Sequence, residues 1–280
     1  MTDRVLLELK VIEPVLNELK QAGLVVAVFS EVEPDPSIAM IMAGIEKLRS
    51  SGATAVLAVG GGSPIDAAKA MIACNASGRR PEDIDGYFKV RDLVLPFFAV
   101  PTTAGSGSEV TIASVVSDPG AGRKFAIVDN QLVPAAIALD PNLMVGLPPN
   151  ETAATGMDAL THAIESNLST LATPASRALS VAAARAIFRD LPRAFKNVRD
   201  IDARQSLAVA SCLAGLAFTR VSVGIPPTIE QIADADIPEI VQRALAEAHG
   251  TYPVPTYMSA ADCATIVRRA AGARPDKEEV

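Results

Sequence analysis

The chain has 280 residues, of which 49% are hydrophobic, so it can bury a large apolar core. Its 25 Lys and Arg against 32 Asp and Glu give a formal net charge of −7, and the basic residues are scattered, which disfavours nucleic acid and acidic membranes as partners. Three dispersed cysteines, Cys74, Cys212 and Cys263, provide neither a disulfide framework nor a paired-cysteine metal site. With a charged amino-terminal segment and no apolar stretch of membrane-spanning length, the sequence predicts a cytoplasmic protein.

In the first half of the chain, helical patterns alternate with short apolar runs. The pattern predicts helices over 15–23 and 38–52 and strands in the runs 24–30, 55–59, 95–103 and 135–141. Short buried strands that alternate with helices are typical of a parallel sheet built from βαβ units. Residues 1–147 are therefore predicted to form an α/β domain.

The pattern changes after Pro148 and Pro149. Segments 176–191 and 203–218 are long, rich in Ala and Leu, and nearly free of β-branched runs, as in helices that pack on helices. The sequence thus predicts a second, all-helical domain over 148–280.

The most distinctive segment of the first half is a glycine-rich turn between a strand and a helix. The strand predicted at 55–59 runs into glycines 60–62, followed by Ser63 as the predicted N-cap, Pro64 at the first helical position and Asp66 in the first turn. Glycines let the backbone approach a ligand closely, and the free N–H groups of a helix start favour an anion such as a dinucleotide pyrophosphate. The alternative is an ordinary capped turn, because the pattern is not GxGxxG.

A second loop follows the apolar run at 95–103. It offers four hydroxyl side chains: Thr102, Thr103, Ser106 and Ser108. We expect it at the same carboxyl edge of the sheet, where ligands of parallel sheets collect, although a flexible polar loop is the alternative. Ala104 stands where a GxSxG nucleophile elbow around Ser106 needs its first glycine, so a serine hydrolase is disfavoured.

In the helical half, the segment TGMDALTHAIES places Asp158 and His162 four residues apart. On a helix this spacing puts both side chains on one face, where each can reach the same metal ion. Two ligands make only half of a metal site. A hydrogen bond between the two side chains, without an ion, is the alternative.

Five segments, taken in order, resemble the iron-containing (group III) alcohol dehydrogenases. They are GGGSPIDAAKA, PTTAGSGSEVT, GRKFAIVD, LPPNETAATGMDALTHAIES and AGLAF, and the resemblance extends into the segment at 223–255. It implies a nucleotide-binding, Rossmann-like α/β domain followed by an all-helical metal and substrate domain, in a dehydroquinate synthase-like fold with the active site in the cleft between them. A dehydroquinate synthase-like lyase or a glycerol dehydrogenase is a weaker match, because MDALTHAIES follows the alcohol dehydrogenase pattern.

The resemblance also implies residue roles toward a nicotinamide cofactor. The cofactor contacts in the two loops are Gly61, Gly62, Ser63, Asp66, Thr102 and Thr103. Lys124 would reach the ribose or the phosphates. Asp3 matches an acidic residue beside the adenosine ribose that repels a 2′-phosphate, which favours NAD over NADP.

Asp158 and His162 match the first two metal ligands of this family. The expected metal is Fe²⁺, with Zn²⁺ still open, and it acts as a Lewis acid on the carbonyl or alkoxide during hydride exchange. The implied function is an NAD-linked oxidoreductase that interconverts small alcohols and aldehydes, in a homo-oligomer.

The chain departs from the family pattern at two places. The helical domain is shortened near 220–223 and lacks a block with two further metal-binding histidines, while His249 matches no ligand position. At the amino end, the family places a strand ahead of the residue matched by Asp3, so we expect an unpaired sheet edge or a gap. A naturally shortened product and a truncated reading frame both account for these departures.

Two hypotheses therefore remain open. The first is the dehydrogenase, with activity impaired by the absent histidines. The second is a non-catalytic remnant that binds nucleotide or associates with intact homologues. In either case, loss of a packed block exposes apolar helix surface, which predicts self-association.

Overall fold

The computed structural model describes residues 1–91 and 93–221 together with positions 238, 242, 259–261 and 264. The helices are α1 (Arg4–Glu8), α2 (Glu13–Gln21), α3 (Ile38–Ser51), α4 (Gly62–Ser77), α5 (Pro149–Leu168), α6 (Pro174–Lys196) and α7 (Ile201–Thr219). The strands are β1 (Val56–Gly60), β2 (Gly86–Tyr87), β3 (Phe97–Pro101), β4 (Ala113–Asp118), β5 (Arg123–Val128) and β6 (Ala136–Ile137). The predictions for His249 and Cys263, and for the junction at 222–223, lie outside the described residues.

A parallel three-stranded sheet in the order β1, β3, β6 forms the centre of the first half, as the alternating pattern predicted. Its register pairs Val56 with Phe97 and Phe98 with Ala136. The helix α4 packs on this sheet and is buried along most of its length, which agrees with its largely apolar sequence. The carboxyl ends of β1 and β3 therefore lie side by side.

The predicted strand at 24–30 is not formed, and this prediction was wrong. The segment has one backbone bond to its neighbour, from Thr2 N–H to Phe29 O (3.0 Å), and Val25 is fully exposed. A strand requires a paired neighbour, and here a gap separates the segment from β1. Met1 bonds to β1 across part of this gap: Met1 N donates to Leu57 O, and Val59 N–H donates to Met1 O.

A second sheet in the order β2, β5, β4 was not anticipated from the apolar runs. Its hairpin pairs β4 with β5 in antiparallel register, from Ala113 opposite Val128 to Asp118 opposite Arg123. The connection contains Gly122 at φ 61°, a left-handed conformation that glycine adopts without strain. An Asp-Pro-Gly turn between two β-branched runs was the available signal.

The helical half begins at Pro149, with Pro148 as the N-cap of α5, and continues through α6 and α7. These three helices pack on one another around Leu160, Ile187 and Leu207, so the α/β part and the helical part of the predicted fold class are both present. No helix in the described part of the chain is long and apolar enough to cross a membrane.

Candidate functional site

The glycine turn exposes the start of α4 at the carboxyl end of β1. The helix begins at Gly62 with Gly61 as its N-cap, so the predicted cap at Ser63 and first position at Pro64 are each displaced two residues into the helix. Gly61 has the extended conformation of an N-cap but no side chain to bond the first amides. Those N–H groups, at the positive end of a 16-residue helix, are suited to bind an anion.

The hydroxyl loop lies directly against this helix start. Thr102 N–H donates to Gly60 O (2.9 Å), which joins the two loops at their bases. A Cβ added at Gly61 would lie 3.3 Å from Thr103 Oγ1, and one added at Gly62 would lie 2.8 Å from Ser106 Oγ. Glycine at position 62 is therefore needed for the close approach, and the predicted meeting of the two loops at one sheet edge is observed.

Three of the residues assigned to the cofactor by resemblance make other contacts. Asp66 Oδ2 accepts a hydrogen bond from Val115 N–H (3.1 Å), so this carboxylate faces β4. Lys124 forms an exposed ion pair with Asp35 (2.7 Å). Asp3 caps α1 by accepting from Leu6 N–H (2.8 Å). The structure therefore gathers the glycines and hydroxyls of the two loops, and the buried Asp66 carboxyl lies beside Ser108 of the hydroxyl loop, whereas the side chains of Lys124 and Asp3 pair with other groups.

The hydroxyl loop also contacts the helical half. Ser211 Oγ, on α7, donates to Gly105 O (3.1 Å). A Cβ at Gly105 would lie 2.9 Å from Thr155 Cβ on α5, and Gly107 meets Gly215 backbone to backbone. Because Thr155 is one helical turn before Asp158, this loop connects the phosphate-binding edge of the sheet with the helix that carries the predicted metal ligands.

On α5, Asp158 and His162 face each other. His162 Nε2 lies 3.7 Å from Asp158 Oδ1, and the imidazole stacks on Phe218 of α7 with a centroid distance of 4.9 Å. The two side chains are 25% and 11% exposed, and burial raises the pKa of the Asp158 carboxyl while His162 opposes that rise. The separation exceeds hydrogen-bond length. It is near the roughly 3.4 Å expected for two donors of one tetrahedral ion.

The described part of the chain adds no further acidic, histidine or cysteine ligand that would complete a cluster of three around this pair. His162 Nδ1 is buried and has no hydrogen-bond partner among the described residues. The separation of the two side chains does not fit the alternative of a helix-face hydrogen bond, and metal binding by the pair stays a prediction.

A buried charged cluster supports the hydroxyl loop and was missed by sequence reasoning. Lys69 Nζ donates to Thr111 O (2.6 Å), Thr111 Oγ1 (3.0 Å) and Ala113 O (2.9 Å), and the lysine is fully buried. Burial lowers its pKa to about 8, while the carboxylates of Asp66 and Glu109 oppose that shift. Burial also raises the pKa of Glu109 to about 6. A lysine inside the apolar segment IDAAKA was the signal available in the sequence.

Comparison with known proteins places these features in a family. Residues 1–141 match the family model described as "Iron-containing alcohol dehydrogenase", and residues 152–232 match "Fe-containing alcohol dehydrogenase family, C-terminal". The chain is 38% identical over 229 residues to the NAD-dependent methanol dehydrogenase of Bacillus methanolicus, covering 82% of this chain and 60% of that protein. It is 39% identical over 217 residues to the NADPH-dependent butanol dehydrogenase of Clostridium saccharobutylicum, covering 76% and 55%.

The fold of the chain also matches that of a solved structure. A crystal structure of 1,3-propanediol oxidoreductase superposes with a TM-score of 0.90 at 27% sequence identity, covering 96% of this chain and 90% of that one. The matched residues span 60% and 55% of the two curated relatives, which is less than two thirds of the length of either. With family models matching both of its halves, the chain belongs to the iron-containing alcohol dehydrogenase family.

Proposed function

We propose that the chain is an NAD-linked, metal-dependent oxidoreductase that interconverts small alcohols and aldehydes. The observation that carries this proposal is the hydroxyl loop, which packs on the start of α4 at one side and on the helix carrying Asp158 and His162 at the other. A cofactor phosphate at the helix start and a substrate oxygen near the metal ligands would then occupy one continuous site. Both curated relatives described above carry names of alcohol dehydrogenases that act on small alcohols.

In this proposal, the first amides of α4 bind the cofactor pyrophosphate. Gly61, Gly62 and Ser63 supply N–H groups at the positive helix end, and the absence of a side chain at Gly62 leaves room for the neighbouring Ser106. Thr102 and Thr103 line the adjacent wall, where Thr103 Oγ1 lies close to Gly61. Asp66 acts indirectly, because its carboxylate holds the β4 backbone.

Asp158 and His162 would hold the metal, which the family name indicates is iron, with Zn²⁺ as the other candidate. A bound divalent ion supplies Lewis acidity toward the substrate oxygen. Phe218 fixes the plane of the imidazole by stacking, so the ring is oriented before the metal binds. Two protein donors give weaker geometric control than three or four, so we expect lower metal affinity unless other ligands complete the set.

The choice of NAD over NADP is a separate proposal, since one curated relative is NAD-dependent and the other NADPH-dependent. Asp3 would repel the additional phosphate of NADP while it caps α1. Replacing Asp3 by Ser keeps an N-capping oxygen but removes the charge. We expect this variant to bind NADP more tightly and NAD about equally well, as measured by calorimetry with each nucleotide.

The activity itself is tested by anaerobic assay of NADH formation from short-chain alcohols, after loading with Fe²⁺ or Zn²⁺. Gly62→Val places a side chain against Ser106 and the phosphate position, and should abolish NAD binding and turnover together. Gly146→Ala is the matched control, because a Cβ there meets no atom within 4 Å. Metal-dependent NADH formation that is lost in Gly62→Val and kept in Gly146→Ala is the expected result.

The second candidate is a non-catalytic family member that binds nucleotide or associates with intact homologues. It is favoured by one observation, the absence of a third metal ligand around Asp158 and His162 within the described residues. Tight NAD binding without metal binding or turnover would establish this candidate and overturn the first.

A further inference from the structure

Three buried side-chain atoms around the imidazole of His162 have no hydrogen-bond partner within the described part of the chain. Two of them are on α5, His162 Nδ1 and Glu165 Oε2. The third is Thr219 Oγ1, which follows the Phe218 ring that stacks on the imidazole. Buried polar atoms are nearly always paired in folded proteins, so an unpaired one is a candidate for a functional contact.

Glu165 follows His162 by three residues on the same helix. Side chains three residues apart lie on one face, with Cβ atoms about 5–6 Å from each other, and a long side chain leans toward the turn before it. The Glu165 carboxyl can therefore reach back toward His162. Since Asp158 precedes His162 by four residues, the imidazole has a carboxyl-bearing residue on the turn before it and another on the turn after it.

The electrostatics of Glu165 agree with this placement. Burial raises the pKa of Glu165 to about 7, and the Asp158 carboxyl adds to that rise, so the two carboxyls lie within electrostatic range of each other. Asp158 Oδ1 is 3.7 Å from His162 Nε2. Nδ1 is therefore the ring nitrogen that remains available to Glu165.

The two nitrogens of His162 have different roles in metal binding. A neutral imidazole carries one proton, and only the nitrogen without it can bind an ion. If Nδ1 has no acceptor, the Asp158 carboxyl draws the proton to Nε2 and blocks the atom that faces the metal position. An acceptor at Nδ1 holds the proton there, as a carboxylate, carbonyl or water does for most histidine ligands.

We propose that Glu165 is a positioning residue that accepts a hydrogen bond from His162 Nδ1–H and so leaves Nε2 free for the metal beside Asp158. This inference rests on the metal-dependent function proposed above. Rotation about the side-chain torsions of Glu165, of which the last has a broad energy minimum, forms the bond and satisfies both unpaired atoms. Phe218 then fixes the plane of the ring, and Glu165 fixes which nitrogen is free.

The first measurement determines the tautomer of His162 in the metal-free full chain. The chain has two histidines, so ¹⁵N-histidine labelling gives two imidazoles in the NMR spectrum, and His249→Gln identifies the signals of His162. At a pH of about 8, where an ordinary imidazole is neutral, we expect a protonated Nδ1 and an unprotonated Nε2. Glu165→Leu should move the proton to Nε2. Glu165→Gln keeps an accepting oxygen and should leave the proton on Nδ1.

The second measurement separates positioning of His162 from a purely structural role. In calorimetry with Zn²⁺, Glu165→Leu should bind about 10–100-fold more weakly than the unmodified chain, and Glu165→Gln should restore most of the affinity. Metal-free Glu165→Leu should unfold at the same or a higher urea concentration, because the folded chain loses no hydrogen bond at Oε2. If Glu165 were itself a metal ligand, both variants would lose Zn²⁺ binding equally.

Thr219→Val is the matched control, because it removes the third unpaired atom with little change in shape. It should leave the tautomer and the Zn²⁺ affinity unchanged. A proton on Nε2 in the unmodified chain, an unchanged tautomer in Glu165→Leu, or equal loss of Zn²⁺ binding in the Leu and Gln variants would overturn the proposal. Absence of Zn²⁺ binding to the unmodified chain would count against the proposed function, while the metal-free tautomer still decides the role of Glu165.

Discussion

Gly107 and Gly215 meet backbone to backbone: a Cβ built on Gly107 would lie 2.7 Å from Gly215 Cα. Gly107 also has φ 63°, a conformation that side chains rarely adopt. This contact joins the hydroxyl loop to α7. The orientation of the loop therefore depends on two residues that themselves carry no reactive group.

Gly215→Ala should destabilise the protein and weaken NAD binding. The new methyl would lie 2.9 Å from Gly107 O, and backbone cannot move aside as a side chain can. We expect a loss of about 1–3 kcal/mol in the free energy of unfolding, measured by urea denaturation. If Gly215→Ala binds NAD and unfolds like the unmodified chain, the contact does not position the loop.

Lys69→Met should be among the most damaging single substitutions outside the loops. It leaves Thr111 O and Ala113 O without their donor, and it removes the positive charge beside the buried Glu109. Removing one partner from a buried charged network costs about 3–5 kcal/mol. Lys89→Met, at an exposed position, is the matched control and should unfold at nearly the same urea concentration as the unmodified chain.

Glu109 should make the protein less stable as pH rises from about 4.5 to about 6. Burial raises the pKa of Glu109 in the folded chain to about 6 from 4.5, so the folded state binds the proton more tightly than the unfolded state. The resulting loss in the free energy of unfolding is absent below pH 4.5 and complete above pH 6. It amounts to about 2 kcal/mol despite the attraction of Lys69.

Urea unfolding at several pH values, for the unmodified chain and for Glu109→Gln, isolates this effect from other titrating groups. The free-energy difference between the two proteins should change across that interval by about the predicted 2 kcal/mol. A constant difference would show that Glu109 has an ordinary pKa in the folded chain.

The surface of α6 predicts self-association. Val181, Phe188 and Phe195 recur every seven residues and are 41%, 68% and 44% exposed, so they form one apolar stripe along the helix. Phe188→Ser should shift the sedimentation distribution toward monomer, while Lys196→Ser, at an exposed position about 80° around the same helix, should leave it unchanged. A monodisperse monomer for the unmodified chain would contradict this prediction.

The sequence predicted the parts of the site that depend on local pattern. Apolar runs ending in the glycine and hydroxyl loops identified β1 and β3, and the parallel arrangement then required their carboxyl ends to meet, as Gly60 and Thr102 do. The spacing of Asp158 and His162 similarly predicted one helix face. In each case, a pattern within one segment of the sequence predicted which residues lie together in the fold.

Other features depended on partners that a single segment does not reveal. Residues 24–30 have strand-like composition but no adjacent strand, so they remain extended and unpaired over most of their length. The start of α4 moved to Gly62 because backbone geometry, and not a capping hydroxyl, defines the first turn. The contacts of Asp66 and Lys124 with other groups were likewise invisible to motif comparison.

The central claim, that Asp158 and His162 form a functional half of a metal site beside a nucleotide site, is tested most directly by anaerobic Fe²⁺ and Zn²⁺ calorimetry in the presence of NAD. We predict one-to-one metal binding to the unmodified chain that is lost in Asp158→Ala and retained in Asp202→Ala, an exposed control on α7. Absence of specific metal binding to the unmodified chain, or binding that survives Asp158→Ala, would contradict the claim.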